Sequence, residues 1–221
     1  MNPMCPTERM LVNYVSKQLE GIVPDGYCWG DLLLHSTPVA LRRTNACVSR
    51  ILVSSGKDFD YLVSWQYATF LYFLSRTLFL DFQEQSAAVR VFLLNKAVNG
   101  LDLYYEIDLG TCFFLSHTSA IVFAKATYGK YCVFHQGCTV GRQGVSRPVL
   151  EEGVVMFPGS QIIGRSNVLE NTVLSAGVSL VNCSTPGNCL VFNGKSGRPV
   201  FKELNEFYAD RYFLRQKADT E

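Results

Sequence analysis

The sequence predicts an α+β protein in which a helical region comes before a parallel β-solenoid of stacked coils. Apolar residues recur every six positions in three runs, which are Leu103, Leu109, Leu115 and Ile121; Tyr128, Phe134 and Val140; and Leu150, Met156, Ile162, Val168, Leu174 and Leu180. Helices and ordinary strands have side-chain periods of about 3.6 and 2, so neither explains this spacing. A short repeat with one apolar residue per unit is typical of a β-solenoid, whose coils bury a continuous apolar column. Three units make one triangular coil, so the repeat predicts about four coils; a chance run of strands in a β-sandwich is the alternative.

Composition divides the chain into three ranges. We expect a helical N-terminal domain at 1–100, a β-helix domain at 101–200 and a helical tail at 201–221. Glycine becomes frequent after residue 100, and it suits the tight corners between solenoid faces because it adopts positive φ freely. Residues 141–147, GRQGVSR, interrupt the repeat. They are expected to leave the coil as a loop, and such loops often carry a solenoid's binding function.

Four helices are expected before the solenoid and one after it. They cover 7–19 with Thr7 as N-cap, 38–52, 61–82, 87–98 and 201–215. The third is almost long enough to span a bilayer, but Gln66 and Arg76 lie inside it and it has no strongly basic flank. We expect it to be the core helix of a bundle, with membrane contact as the alternative. The last helix is expected to cap the open coil end or to reach a neighbouring subunit.

Composition also excludes several classes of partner. The net charge of +1 gives no general attraction to nucleic acid or to an anionic membrane. The eight cysteines contain no CxxC pair, so buried free thiols in a reducing cytosol are expected rather than disulfides or a zinc site. The first ten residues, MNPMCPTERM, lack the pattern of a signal peptide. We therefore expect a cytoplasmic protein without a metal site or a membrane span.

His117 and Asp102 are the candidates for chemistry, because they stand fifteen residues apart, which is nearly one coil. A carboxylate at that place can orient an imidazole, whose other nitrogen then takes a proton from a substrate hydroxyl. An exposed structural histidine is the alternative. His135 comes eighteen residues after His117, but the six-residue repeat shifts by one position between Ile121 and Tyr128. This slip of phase puts His135 directly after an inward residue, so the two histidines are not expected at the same point of successive coils.

Several spaced motifs in residues 65–200 form one set. DLYYEIDLG (102–110) leads without a gap to LSH (115–117), HQGCTVG covers 135–141, and the third run is Arg147-Pro148, Glu152-Gly153-Val154, Gly159, Ile163-Gly164 and Ala176-Gly177. These motifs resemble those of the serine acetyltransferases. The first resembles the family's D-I-H-P-x-A-x-I-G leading to L-D-H, and the second resembles Q-x-V-T-L-G-G. The third resembles the run that begins with H-P-x-I-x-x-G-V and ends with G-A-G. That family belongs to the hexapeptide-repeat acyltransferases.

This resemblance implies a left-handed β-helix that forms a homotrimer or a dimer of trimers, with acetyl-CoA along the coils and active sites between subunits. His117 would be the general base and Asp102 its partner. The positions that would meet the acceptor are Ser116, His135, Ser146 and Arg147. Those implied to meet acetyl-CoA are Gly141, Pro158, Gly159, Ala176 and Gly177 along the pantetheine, with Lys195 or Arg198 at the phosphates.

The acceptor is where the sequence departs from the family. The family's aspartate before the catalytic histidine is Ser116 here, its arginine-histidine pair is Ser146-Arg147, and the loop before that pair is about four residues shorter. An amino-acid zwitterion needs both a fixed anion and a fixed cation. The sequence therefore predicts an acetyl-CoA-dependent O-acetyltransferase acting on a sugar hydroxyl of a capsule or another surface polysaccharide. The alternatives are a divergent serine O-acetyltransferase of cysteine biosynthesis and, outside enzymes, an assembly scaffold.

Overall fold

The protein consists of four helices, a left-handed parallel β-helix of about five turns, and a C-terminal segment folded back over the β-helix. The computed structural model describes residues 6–215. The predicted fold class is confirmed, with one coil more than the repeat suggested. The division into domains at residues 100 and 200 stays a prediction.

The helices form a bundle at one end of the chain. They are α1 (Pro6–Ile22), α2 (Leu32–Val48), α3 (Ser64–Leu80) and α4 (Gln85–Asn99), with a short 3₁₀ helix at Leu52–Ser54. The expected start of α2 at Pro38 is wrong, because the helix begins at Leu32 and carries Pro38 inside it. Leu33, Ser36 and Thr37 are buried before the proline, so packing there outweighs the roughly 3 kcal/mol that an interior proline costs.

Helix α3 is the core helix of this bundle, as the sequence predicted. Twelve of its seventeen residues are buried, and it packs against both α2 and α4. Ser75 Oγ donates to the Ala88 carbonyl oxygen at 2.7 Å, and Asn95 Nδ2 donates to the Ala68 carbonyl oxygen at 3.0 Å. Within residues 6–215, none of the helices is long and apolar enough to cross a membrane.

Fourteen short strands follow α4. They are β1 (Leu101–Asp102), β2 (Phe113–Ser116), β3 (Ile121–Phe123), β4 (Thr127–Tyr128), β5 (Cys132–His135), β6 (Thr139–Gly141), β7 (Val149–Leu150), β8 (Val155–Met156), β9 (Gln161–Ile163), β10 (Asn167–Val168), β11 (Thr172–Leu174), β12 (Ser179–Val181), β13 (Cys189–Asn193) and β14 (Pro199–Glu203). Sheet I contains β1, β3, β6, β9 and β12; sheet II contains β4, β7 and β10; sheet III contains β2, β5, β8, β11, β13 and β14. All strand pairs are parallel except β13 with β14.

The apolar repeat is the inward column of the β-helix. All of its predicted members are buried except Tyr128, which is partly buried. The position of Ile121 in the column is wrong, because Phe123 and not Ile121 lies opposite Val140 in the register of sheet I. Successive strand residues alternate between the two faces of a sheet, so Ile121 and Phe123 both point inward. From the sequence alone, either residue could be the member of the column. The irregularity of the repeat therefore has two parts: Phe123 comes eight residues after Leu115, across the turn that contains His117, and Tyr128 comes only five residues after Phe123.

The β-helix does not end at Leu180, where the six-residue repeat ends. Val191 of β13 pairs with Leu174 of β11, only seventeen residues further on, after the irregular segment 182–188. The continuous helix expected at 201–215 is wrong in extent. Its first residues form β14, and the helical part of the described tail is one 3₁₀ turn at Tyr208–Arg211; residues 216–221 lie outside the described part.

The C-terminal segment covers the outer face of sheet III instead of capping the open coil end. Ala209 and Phe213 pack with Phe114, Val133, Val155 and Val173 of that face. The segment also reaches the helical region, since the Leu52 amide donates to the Tyr212 carbonyl oxygen at 2.8 Å and the Leu214 amide to the Arg50 carbonyl oxygen at 2.7 Å. Apolar burial against sheet III, rather than helix propensity, determines the local structure here.

The seven cysteines of the described chain are free, and most are buried. Cys47 donates to the Phe113 carbonyl oxygen at 3.3 Å. Burial raises the pKa of the Cys47 thiol to about 12, and it does the same for Cys132. Such thiols are inert at neutral pH, because the thiolate is the reactive form. Cys5 lies outside the described residues.

Candidate active site

The turns that lead from sheet III to sheet I stack on one another along one edge of the β-helix. We call this edge the corner line; it comprises residues 116–120, 135–137, 157–159 and 175–177. Each turn is held by one backbone hydrogen bond to the coil below it, at 3.0 Å in all four cases. The donor and acceptor pairs are Ala120 with Gly100, Gly137 with Ser119, Gly159 with Gln136, and Gly177 with Pro158. The corner line is therefore a continuous backbone edge across four coils.

The first turn of the corner line carries a two-residue insertion, and His117 is part of it. The inward residues on either side of the turn are six apart in the three following coils, but Leu115 and Phe123 are eight apart. His117 is exposed and has φ +57, in the left-handed region that non-glycine residues seldom occupy. Thr118 anchors the turn through a bond from Oγ1 to the Asn99 carbonyl oxygen at 2.9 Å. The insertion thus places an exposed imidazole on the corner line.

Asp102 adjoins the same corner but does not bond to His117. It lies on β1, opposite Val122 of β3. Its carboxylate binds Lys96 Nζ at 2.7 Å, and no hydrogen bond joins it to His117 among the described residues. Lys96 comes from the last turn of α4, six residues before Asp102. This ion pair was not predicted from the sequence. The role of Asp102 as the partner of His117 stays a prediction.

Ser116 and His135 face each other on adjacent strands of sheet III, beside His117. The register pairs Ser116 of β2 with His135 of β5. His135 therefore lies opposite the residue before His117 and not opposite His117 itself, as the slip of phase predicted. The His135 ring stacks on Phe157, with centroids 5.0 Å apart and planes at 10°, and Tyr212 lies edge-on at 6.1 Å. Burial, and secondarily the charge of protonated His117, lowers the pKa of His135.

Two pairs expected to meet acetyl-CoA lie further along the corner line. These are Pro158-Gly159 and Ala176-Gly177, and a Cβ added to either glycine would meet nothing within 4 Å, so the space beside them is open. Lys195 lies in the turn of the β13–β14 hairpin, and Asn193 of that hairpin donates from Nδ2 to the Gly177 carbonyl oxygen at 3.4 Å. His117, the two glycine turns and the hairpin that contains Lys195 therefore follow one another along one edge. Gly141 does not lie on this edge, since it belongs to β6 beside Ile163.

Ser146 and Arg147 lie at a different corner from His117. They belong to the loop between β6 of sheet I and β7 of sheet II, which leaves the coil as predicted. Ser146 closes the loop by exchanging backbone bonds with Gln143 at 3.0 and 3.1 Å. Arg147 lines a surface cleft of about 310 Å³ together with Glu106, Asp108 and Lys125. One chain alone does not bring Arg147 to the corner line.

The aromatic residues around His135 were not predicted from the sequence. Phe157 has a detectable signal, because His135 and Phe157 each directly follow an inward residue, Phe134 and Met156, and so share one outward position on successive coils. Tyr212 has no such signal, since its place depends on the fold of the C-terminal segment. Among the described residues, no group of three or more histidine, cysteine, aspartate or glutamate side chains is placed to hold a metal ion.

Known proteins resemble this chain in sequence and in fold. A serine acetyltransferase of Synechococcus elongatus is 30% identical over 114 residues, which cover 49% of this chain and 46% of the relative. The crystal structure of Neisseria gonorrhoeae serine acetyltransferase matches with a TM-score of 0.70 at 19% identity, covering 91% of this chain and 81% of that chain. The chain is thus similar to serine acetyltransferases in sequence and in fold.

A third protein that this chain resembles is the serine acetyltransferase of Brucella abortus strain S19, solved in complex with coenzyme A. Its TM-score is 0.66 at 20% identity, covering 90% of this chain and 84% of that chain. The Neisseria gonorrhoeae protein has also been solved in complex with serine. No family model matches the chain. The chain spans about half the length of the curated relatives it matches.

Proposed function

We propose that this chain is an acetyl-CoA-dependent O-acetyltransferase whose acceptor is the hydroxyl of L-serine. The observation that carries the proposal is the position of His117, exposed on an inserted turn at one end of the corner line. The serine acetyltransferase relatives support the reaction class and weigh against an assembly scaffold.

In the proposed reaction His117 acts as the general base. Its free nitrogen takes the proton of the acceptor hydroxyl as the oxygen attacks the thioester carbonyl of acetyl-CoA. The carbon–sulfur bond then breaks, the acetyl group stays on the oxygen, and the leaving thiolate of CoA takes a proton. Asp102 is the proposed partner of His117, and it would have to exchange Lys96 for the imidazole.

Acetyl-CoA is proposed to lie along the corner line, with its thioester near His117 and its phosphates near Lys195. The first and fourth turns of the line are three strand spacings apart, roughly 14 Å, which suits an extended pantetheine arm. Pro158-Gly159 and Ala176-Gly177 would contact the arm through their backbone, where the space beside Gly159 and Gly177 is open. The coenzyme A complex of the Brucella abortus relative supports this co-substrate.

L-serine is the proposed acceptor because both curated relatives are serine acetyltransferases and a structural neighbour is solved with serine. The proteins compared here do not support the surface-polysaccharide acceptor that the sequence suggested. One observation still favours an acceptor without an amino group: Ser116 puts no charge next to His117. A sugar hydroxyl is therefore the second candidate.

Assembly and location belong to the proposal as well. Because Arg147 lies at another corner, it could meet an acceptor at His117 only from a neighbouring copy, which supports a homotrimer or a dimer of trimers. A cytoplasmic location fits the seven free thiols, since thiols persist in a reducing compartment.

The acceptor is tested by thiol release from acetyl-CoA with L-serine, L-homoserine and a panel of neutral and acidic sugars. We expect L-serine to be used with a kcat/KM on the order of 10⁴ M⁻¹s⁻¹ or more, as for a natural substrate. The Ser116→Asp variant should use L-serine at least as well, since it adds a carboxylate beside His117. Turnover of a sugar with L-serine inactive would replace the proposed acceptor by the second candidate.

A further inference from the structure

His135 has an unusual environment for a histidine in a solenoid strand. Its Nε2 atom is buried and has no hydrogen-bond partner among the described residues. Buried polar atoms in native proteins nearly always have a partner, because an unpaired one has lost its water and gained nothing in return. Three other buried polar atoms of the described residues also lack a partner, but the Nε2 atom of His135 lies beside the proposed base, where a ligand can complete it.

The side chains that pair with His135 or lie against its ring are uncharged at neutral pH, and Arg211, a cation of the C-terminal segment, lies beside Tyr212. Ser116 is its neighbour on β2, Phe157 stacks on it from β8, and Tyr212 lies against it from the C-terminal segment. Burial raises the pKa of Tyr212, so its phenol stays protonated. The lowered pKa of His135 keeps the ring neutral at pH 7. A neutral imidazole protonated at Nδ1 offers Nε2 as a hydrogen-bond acceptor.

An ammonium group fits this environment. L-serine carries one, and Asp102 of the first coil is already bound to Lys96. A neutral imidazole nitrogen can accept a hydrogen bond from an ammonium, and the faces of aromatic rings attract a cation. Phe157 and Tyr212 supply such rings on two sides of His135. Tyr212 is only partly buried, and binding requires its side chain to turn aside so that a small molecule can reach Nε2 of His135.

We propose that Nε2 of His135, flanked by Phe157 and Tyr212, binds the amino group of the acceptor in place of a carboxylate. The inference rests on the proposed function, because it takes a hydroxyl amino acid as the acceptor. It makes His135 a specificity residue: it contacts the part of the acceptor that does not react. The C-terminal segment then becomes one wall of the acceptor site, in addition to covering sheet III.

The test compares L-serine with 3-hydroxypropanoate, which is serine without its amino group, in the parent and in two variants. His135→Phe keeps a flat ring against Phe157 but has no nitrogen, whereas His135→Gln keeps a hydrogen-bond acceptor at similar reach. We expect the parent to prefer L-serine in KM by about tenfold or more, the size of a hydrogen bond to a charged group. His135→Phe should lose that preference, His135→Gln should retain part of it, and the KM for acetyl-CoA should stay within about twofold in both.

Preference for L-serine that survives in His135→Phe would overturn the inference, and so would equal losses in both variants. A second measurement does not depend on turnover. The chain has three histidines, His35, His117 and His135, so imidazole ¹⁵N resonances can be assigned by substitution. We expect L-serine, added without acetyl-CoA, to shift the His135 resonance saturably, and 3-hydroxypropanoate to shift it little.

The two measurements separate this inference from the proposed function. A saturable His135 shift without acetyl transfer to L-serine would retain the amino-group site and refute the proposed reaction. Transfer to L-serine without a His135 shift would retain the reaction and refute the site. If neither occurs, both are wrong.

Discussion

The His117→Ala variant should lose acetyl transfer while still binding acetyl-CoA. Loss of a single general base lowers the rate by about two to four decades. The imidazole protrudes from an inserted turn and makes no hydrogen bond among the described residues, so its removal should leave the fold intact. Steady-state kinetics and calorimetric titration with acetyl-CoA measure the two effects separately.

His35→Ala is the matched control, because His35 is an exposed histidine on α2, in the helical region. Its turnover should stay within about twofold of the parent, as for a surface change far from the site. A His117→Ala variant that turns over within tenfold of the parent would remove His117 from the mechanism, whatever the acceptor.

The Phe134→Ala variant should show a large loss of stability. Phe134 is fully buried in the inward column, and its ring meets Phe123 edge-to-face with centroids 4.7 Å apart. Truncating a buried phenylalanine leaves a cavity and costs about 3–5 kcal/mol in the free energy of unfolding. For a chain of this size that corresponds to a Tm lower by roughly 10 °C, measurable by calorimetry or by chemical denaturation.

Phe201→Ala is the control for this substitution, since Phe201 lies on β14 with 39% of its surface exposed. It should cost less than about 1 kcal/mol. Equal losses from Phe134→Ala and Phe201→Ala would mean that the inward column does not dominate the stability of the β-helix.

The inward column was predictable because every coil needs an apolar side chain at a fixed spacing, and Met156, Ile162 and Leu174 meet that need without exception. Two features were not. Ile121 and Phe123 are both apolar and both buried, so only the strand register identifies Phe123 as the column residue. The helix expected at 201–215 failed because its aromatic residues pack on sheet III, a surface that the local sequence does not reveal.

The candidate site was predictable where it depends on spacing along one coil and not where it depends on contacts between elements. The separation of Asp102 and His117 placed both at the first corner. It did not reveal that Lys96 from α4 binds the Asp102 carboxylate. The pairing of Ser116 with His135 follows from the slip of phase, whereas the contact between His135 and Tyr212 depends on how the C-terminal segment returns over sheet III.

A crystal structure of the protein with CoA would test the central claim most directly, because the corner line is proposed to carry both the base and the co-substrate. We expect the pantetheine arm along Pro158-Gly159 and Ala176-Gly177, with the thiol within about 4 Å of a His117 imidazole, so that the imidazole can take the proton of the attacking hydroxyl and return it to the leaving thiolate. CoA bound instead in the cleft beside Arg147, with its thiol remote from every His117, would contradict the account.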